Sequence, residues 1–223
     1  SVVENLRFFA GMHGVPRRVR AERERRLLGI ARLDEFCDRP AAALSGGMYK
    51  KLALACALIH EPALLLLDEP TNGVDPISRR ELWGFLHELV GGGIGVLVST
   101  PYMDEAERCD RVGLLIGGAI AVSASPAELR DRFGERVFEV AADAPRRARE
   151  ALERLDGVAR VYTMGRRLHV TVPRAGGATP ARVRRRLAEA GVAAHAVEEV
   201  PPSFEDIFLA HAERREERRD LAV

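Results

Sequence analysis

Residues 43–76 read ALSGGMYKKLALACALIHEPALLLLDEPTNGVDP, and this stretch decides the fold. Leu64 to Leu67 are four consecutive aliphatic residues, closed by Asp68, Glu69 and Pro70. An apolar run of this length, bounded by Pro62 and Pro70, predicts a parallel strand buried on both faces. In open α/β sheets, ligands bind beyond the carboxyl ends of the strands. Asp68 and Glu69 therefore stand where a metal ion and a water molecule could be held. The alternative is that they only cap the turn that follows. Upstream, Leu52, Ala55, Cys56 and Ile59 recur at helical spacing, and Ser45 is suited to cap that helix. Gly46 and Gly47 leave backbone amides open to close approach by a phosphate. Pro62 disfavours a helical Glu61, so the helix stops there.

The flanks repeat the alternation of helix and strand. Ser1 and Glu4 have capping-box spacing, and Leu6, Phe9 and Ala10 continue a helix to about Met12. From Arg17 to about Leu33 a charged run places Val19, Arg23, Leu27 and Ile30 on one side. Its charges read as a solvated helix face with i,i+4 ion pairs. Pro76 to Val90 reads as a helix whose apolar side is Ile77, Leu82, Phe85, Leu86 and Leu89, with Trp83 as packing. Gly91 to Gly93 ends it, and Ile94 to Ser99 returns as a buried strand. Two short strands flank Gly117-Gly118, and Ser125-Pro126 opens a helix to Phe133.

Beyond that point the order of elements changes. Strand 137–141, helix 145–155, strands 158–164 and 168–172, helix 180–190 and strand 194–200 make βαββαβ. This is the order of a small ferredoxin-like α+β unit, with a helix following from Ser203. Residues 173–180 read as a surface loop, and Arg214 to Arg219 as a solvated helix end. The fold class is α/β, with a boundary expected between residues 134 and 135.

Composition bounds the function. A chain of 223 residues can bury one sizeable core plus a small second domain. Lys+Arg 34 against Asp+Glu 33 leaves no net field to attract nucleic acid or an anionic membrane. Lys50 and Lys51 are the only lysines. Cys37, Cys56 and Cys109 are isolated, which suits a reducing compartment and no metal knot. No run reaches 18 apolar residues, so a role at a membrane would be peripheral.

Together, these motifs resemble those of the ATP-binding subunits of ABC transporters. Leu44-Ser45-Gly46-Gly47-Met48 is similar to the family signature, Leu64 to Glu69 to its Walker B strand, and Gly73-Val74-Asp75-Pro76 to its D-loop. The resemblance runs from Ser1 to about Phe133. It implies a P-loop NTPase core with a helical subdomain that docks a membrane permease. It also implies ATP and Mg²⁺ as cofactors, with Asp68 on the metal, Glu69 polarising the attacking water and Asp75 joining two subunits. Ser45, Gly46 and Gly47 would close over ATP bound to the opposite subunit of a head-to-tail dimer. The expected location is cytoplasmic, peripheral on the inner face of the cell membrane, with no nucleic-acid partner. Residues 202–208 resemble the start of the C-terminal helix of drug- and polysaccharide-exporter ATPases, which implies export.

Two departures stand out. There is no GxxxxGK[ST] and no glutamine in the chain; the expectation is a core that starts just after the family's Q-loop. Pro101 occupies the place where family members commonly carry a histidine that reaches the γ-phosphate, and proline offers neither a polar side chain nor an N–H. Losing a hydrogen bond to a charged group, worth roughly 1.5–3 kcal/mol, could slow turnover by about one to two orders of magnitude. Two other readings follow: a non-catalytic partner that donates its signature motif, and a soluble ABC protein of DNA repair or translation. The absence of a long coiled-coil insertion or a second cassette weighs against the latter.

Overall fold

The computed structural model describes the backbone of residues 1–220 and the side chains up to residue 215, so the reading of Arg214 to Arg219 lies largely outside the described side chains. The chain divides into two compact units, Ser1–Pro101 and the residues from Tyr102 onward.

In the first unit, α1 (Val2–Met12) starts at Ser1 with both halves of a capping box formed. Helix α2 (Arg17–Ala31) buries Glu24, Leu27, Leu28 and Ala31. This face is rotated from the expected one, because Glu24 is drawn inward by Arg7 and Arg20. Arg23 leaves its own helix surface as well, donating to the Ile59 carbonyl at 3.2 Å and to the Glu61 carboxylate. It thereby fastens the end of α3 (Gly46–Leu58). Glu61 takes φ 54°, a left-handed conformation that ends the helix just ahead of Pro62.

Strands β1 (Leu64–Asp68) and β2 (Gly95–Ser99) pair in parallel, Leu64 opposite Gly95 and Asp68 opposite Ser99. Between them runs α4 (Pro76–Gly91), which buries Leu82, Trp83, Phe85, Leu86 and Leu89. Ile77 departs from expectation and lies exposed in the helix's first turn. Burial of β1 on both faces is not observed: Leu65 is 6% exposed, but Leu64 and Leu66 are 55% and 65% exposed, and Leu97 is 63% exposed. Side chains alternate across a strand, so the described two-stranded sheet is covered on one side and open on the other.

The second unit opens with α5 (Met103–Ala106) and the hairpin β3 (Val112–Ile116)–β4 (Ala119–Ala124). Gly117 and Gly118 both have positive φ in its turn, as a tight two-residue connection requires. Helix α6 (Pro126–Asp131) carries a second complete capping box, Ser125 with Glu128. The remaining elements are β5 (Glu135–Ala142), α7 (Pro145–Glu153), β6 (Arg160–Met164), β7 (Arg167–Pro173), α8 (Pro180–Glu189), β8 (Ala194–Val200) and α9 (Phe204–Asp220). Their four strands form an antiparallel sheet in the order β6-β7-β5-β8, the ferredoxin-like arrangement expected from βαββαβ.

Alternate residues of β5 serve two cores. Phe138 and Val140 join Leu152, Val183 and Leu187 from α7 and α8. Val137 joins Leu114, Phe133, Phe204 and Ile207. The loop 173–180 is less superficial than its composition suggests. Ala178 is fully buried, and a Cβ on Gly177 would fall 2.3 Å from the Pro173 carbonyl oxygen. In the first turn of α9, buried Asp206 accepts from the Ser203 amide and hydroxyl, both at 2.6 Å, from Tyr162 Oη and from His169 Nδ1 at 3.1 Å.

Candidate functional site

The site is built at the end of β1. The Ser99 hydroxyl donates to Asp68 Oδ1. The Glu69 amide donates to the Ser99 carbonyl at 3.0 Å and to its hydroxyl oxygen at 3.1 Å. Parallel pairing thus puts the acid pair on one anchoring residue from the neighbouring strand. Glu69 itself has φ 43°, and a left-handed backbone costs a side-chain-bearing residue on the order of 1 kcal/mol or more. Strain of this kind persists where surrounding bonds over-determine it, as the two bonds to Ser99 do here.

The chain then reverses. The Asn72 amide donates to the Glu69 carbonyl at 3.1 Å, closing a turn whose second residue, Pro70, has its φ preset for that position. Asn72 Nδ2 donates to Glu69 Oε2 at 3.0 Å. Thr71 is 1% exposed, and its hydroxyl finds no hydrogen-bond partner among the described residues. A second turn follows, with the Val74 amide on the Thr71 carbonyl at 3.1 Å and Gly73 at φ 71°. Asp75 then caps α4, its Oδ1 accepting from the Ile77 and Ser78 amides at 3.1 and 3.0 Å. Hydrogen bonds from the Ser78 side chain and amide hold the Asp75 carboxyl below its ordinary range.

The Ser-Gly-Gly segment meets this turn from the other side. Ser45 Oγ accepts from the Met48 amide at 3.3 Å and starts α3. Gly46 faces open space, whereas a Cβ on Gly47 would lie 2.5 Å from both Cβ and Oγ of Ser78. The first turns of α3 and α4 therefore touch where Gly47 has no side chain. One turn along α3, the Lys50 ammonium donates to the Asn72 carbonyl. Lys51, buried beside it, donates to Glu81 Oε2 at 2.7 Å and draws the Glu81 carboxyl below its usual range.

The six residues singled out in the sequence thus occupy one unit. Asp68 and Glu69 sit at the strand end and Asp75 at the next helix start. Ser45, Gly46 and Gly47 start the helix packed against it. The sequence reading missed Ser99, Asn72, Ser78 and Lys50. Asn72, three residues after Glu69 in a Pro-Thr-Asn-Gly turn, carried a readable turn signal. The others depend on pairings that a sequence does not display.

Among the described residues, no group of three or more His, Cys, Asp or Glu side chains is placed to hold a metal ion. Asp68 retains a carboxylate oxygen beyond the one bonded to Ser99. That donor suits Mg²⁺, which keeps several waters and takes one or two carboxylates together with substrate phosphates.

A parallel strand ending in Asp-Glu, joined by a capped turn to a helix that rests on a Ser-Gly-Gly helix start, defines an ATP-binding domain of the ABC type. Comparison with known proteins agrees. Residues 1–72 match the ABC transporter family, and residues 125–212 match the C-terminal domain of ATP-binding proteins like DrrA1-3. A Nod factor export ATP-binding protein I of Rhizobium sp. (strain N33) is 36% identical over 220 residues, covering 98% of this chain and 69% of that protein. A probable multidrug ABC transporter ATP-binding protein of Escherichia coli (strain K12), YbhF, is 38% identical over 211 residues, 94% of this chain and 36% of that protein. Among solved structures, cbiO1 from Clostridium perfringens, part of the ABC transporter complex cbiONQ, aligns with TM-score 0.55 and 30% identity. That alignment covers 59% of this chain and 53% of the other. The chain belongs to the ATP-binding protein family of ABC transporters.

Proposed function

We propose that this chain works within an ATP-hydrolysing subunit that powers export across a membrane, as one half of a head-to-tail pair. The observation that carries the reading is the Asp68-Glu69 pair, locked to Ser99 at the end of a parallel strand and packed, through its turn, on the Ser45-Gly46-Gly47 helix start. Phosphoryl transfer asks mainly for charge neutralisation and a water held in line. Asp68 is the residue that would hold Mg²⁺, which when bound neutralises charge on the phosphate oxygens. Glu69 orients the attacking water and takes its proton, a task that suits an exposed carboxylate oriented by the Asn72 side chain. Asp75 sets the shape of the turn that faces the second subunit. Ser45, Gly46 and Gly47 present a hydroxyl and helix-start amides to the nucleotide of that second subunit.

The names of the relatives favour export, and the match of residues 125–212 supports a C-terminal accessory domain. A permease is the expected membrane partner, as the names of the relatives as ATP-binding parts of transporters suggest; among the described residues, no helix is long and apolar enough to cross a membrane. We infer a peripheral position beside that permease on the cytoplasmic face, in keeping with the transporter names of the relatives. Pro101 favours a second reading, in which the chain donates its signature to a partner and hydrolyses little itself. Glu69→Gln in the natural full-length protein, assembled with its permease, separates the two. Loss of turnover by about a hundredfold or more with ATP still bound supports catalysis; unchanged turnover leaves only signature donation.

A further inference from the structure

We propose that Lys50 and Asn72 form a positioning relay that couples the signature helix to Glu69, so that the contact made on one nucleotide sets the water-activating group of the other. The inference rests on the reading of Glu69 as the general base. Three bonds make the relay. Lys50, on the second turn of α3, donates to the Asn72 carbonyl. The Asn72 side chain donates to Glu69 Oε2 at 3.0 Å. The Asn72 amide donates to the Glu69 carbonyl at 3.1 Å. One residue thus receives the pull of the signature helix on its carbonyl and passes it to the Glu69 carboxylate through its side chain, while its amide keeps the turn closed.

The surroundings restrict how that pull can be absorbed. On the far side, the Glu69 amide is fixed to Ser99 by bonds of 3.0 and 3.1 Å. Pro70 has a preset φ, and Thr71 is buried. A displacement of the Asn72 carbonyl is therefore taken up at the Asn72 and Glu69 side chains, which are exposed. Glu69 already sits in a left-handed conformation at φ 43°, so its carboxylate direction depends on those bonds more than on any rotational preference of its backbone. Lys50 is half-buried on α3, and its long stem lets a point charge follow a moving carbonyl without a change of partner. Closure of Ser45 and Gly46 over a nucleotide moves α3 as a rigid helix. Lys50 transmits that movement to the turn.

The test uses the natural full-length protein assembled with its permease. Lys50→Met, Lys50→Arg, Asn72→Ala and the Lys50→Met/Asn72→Ala pair are measured for ATP kcat and KM, alone and in the Glu69→Gln background. The relay predicts that Lys50→Met lowers kcat about tenfold, the equivalent of one charge-assisted hydrogen bond, with KM unchanged within about twofold. Lys50→Arg restores most of kcat. Asn72→Ala lowers kcat comparably, the double variant is no worse than Asn72→Ala, and neither change adds to the loss caused by Glu69→Gln. A thermal melt of each variant keeps loss of folding separate from loss of coupling, with Lys50→Arg as the conservative control.

Unchanged kcat in Lys50→Met, alongside strong loss in Glu69→Gln, overturns the relay and leaves the general base standing. A rise in KM at constant kcat, or additive losses in the double variant, overturns it as well. Unchanged turnover in Glu69→Gln removes the base, and the relay with it.

Discussion

Gly47 and Ser78 meet so closely that a Cβ on the glycine would lie 2.5 Å from the serine Cβ and Oγ, of which the Cβ is set by the backbone at a helix start. The two glycines of the signature are therefore not equivalent. Gly46 has open space around it, and only the demand of a ligand would forbid a side chain there.

Gly47→Ala is expected to destabilise the folded chain by about 1–3 kcal/mol, because overpacking must push α4 away from α3. Gly46→Ala should leave thermal stability within about 0.5 kcal/mol while reducing ATP turnover in the full-length protein. Parallel thermal melts and turnover assays distinguish the two. Equal melting behaviour of the two variants would contradict the packing argument.

Lys51 and Glu81 give the first unit an acid-sensitive fastening. Lys51 is buried and bonded to Glu81 at 2.7 Å, and that hydrogen bond, helped by the ammonium charge, holds the Glu81 carboxyl below its ordinary value of 4.5. A depressed carboxyl contributes stability above its unfolded value and loses it as pH falls through the folded one. The contribution is therefore complete above about pH 4.5 and fades on further acidification. Glu81→Gln should cost about 1–2 kcal/mol at neutral pH, moderated by the one-third exposure of Glu81. The variant should also flatten the acid limb of a stability–pH curve followed by chemical denaturation.

In the second unit the sign is reversed. Burial raises Asp206 from 3.8 to about 6, so between these values the native state keeps a proton that the unfolded chain has released. Asp206 then favours folding less as pH rises from about 4 to 6. The neighbouring His169 is lowered by burial and works in the opposite direction, its contribution growing as pH approaches 6.5. Asp206→Asn isolates the carboxylate: the stability of the wild type relative to this variant should fall as pH rises across that window. Hydrogen exchange at the start of α9 provides the local readout, and a pH-independent difference would contradict the assignment.

Most of the architecture was legible because it rests on local chemistry. The capping box at Ser1, the Ser45 cap, the helix start at Ser125-Pro126 and the proline stops are written in neighbouring residues, and each formed. The ferredoxin-like sheet follows from the βαββαβ order. Burial was harder to read. Leu64 to Leu67 predict a strand covered on both sides, yet whether a face is covered depends on which elements lie beside it, and no described element covers Leu64, Leu66 and Leu97. Glu24 points inward because arginines from two helices meet it there. Within the site, the acid pair and the glycines could be named from spacing. Ser99, Asn72, Ser78 and Lys50 could not be assigned to it, because strand register and helix contact place them.

The head-to-tail arrangement is tested most directly by ATP-dependent dimerisation of the natural full-length protein. Glu69→Gln is compared with Glu69→Gln/Ser45→Arg by light scattering, with ATP binding to each measured separately. Glu69→Gln is expected to dimerise on ATP. The double variant should bind ATP as well but remain monomeric, because its signature can no longer close on the partner's nucleotide. Dimerisation unaffected by Ser45→Arg would contradict the head-to-tail arrangement.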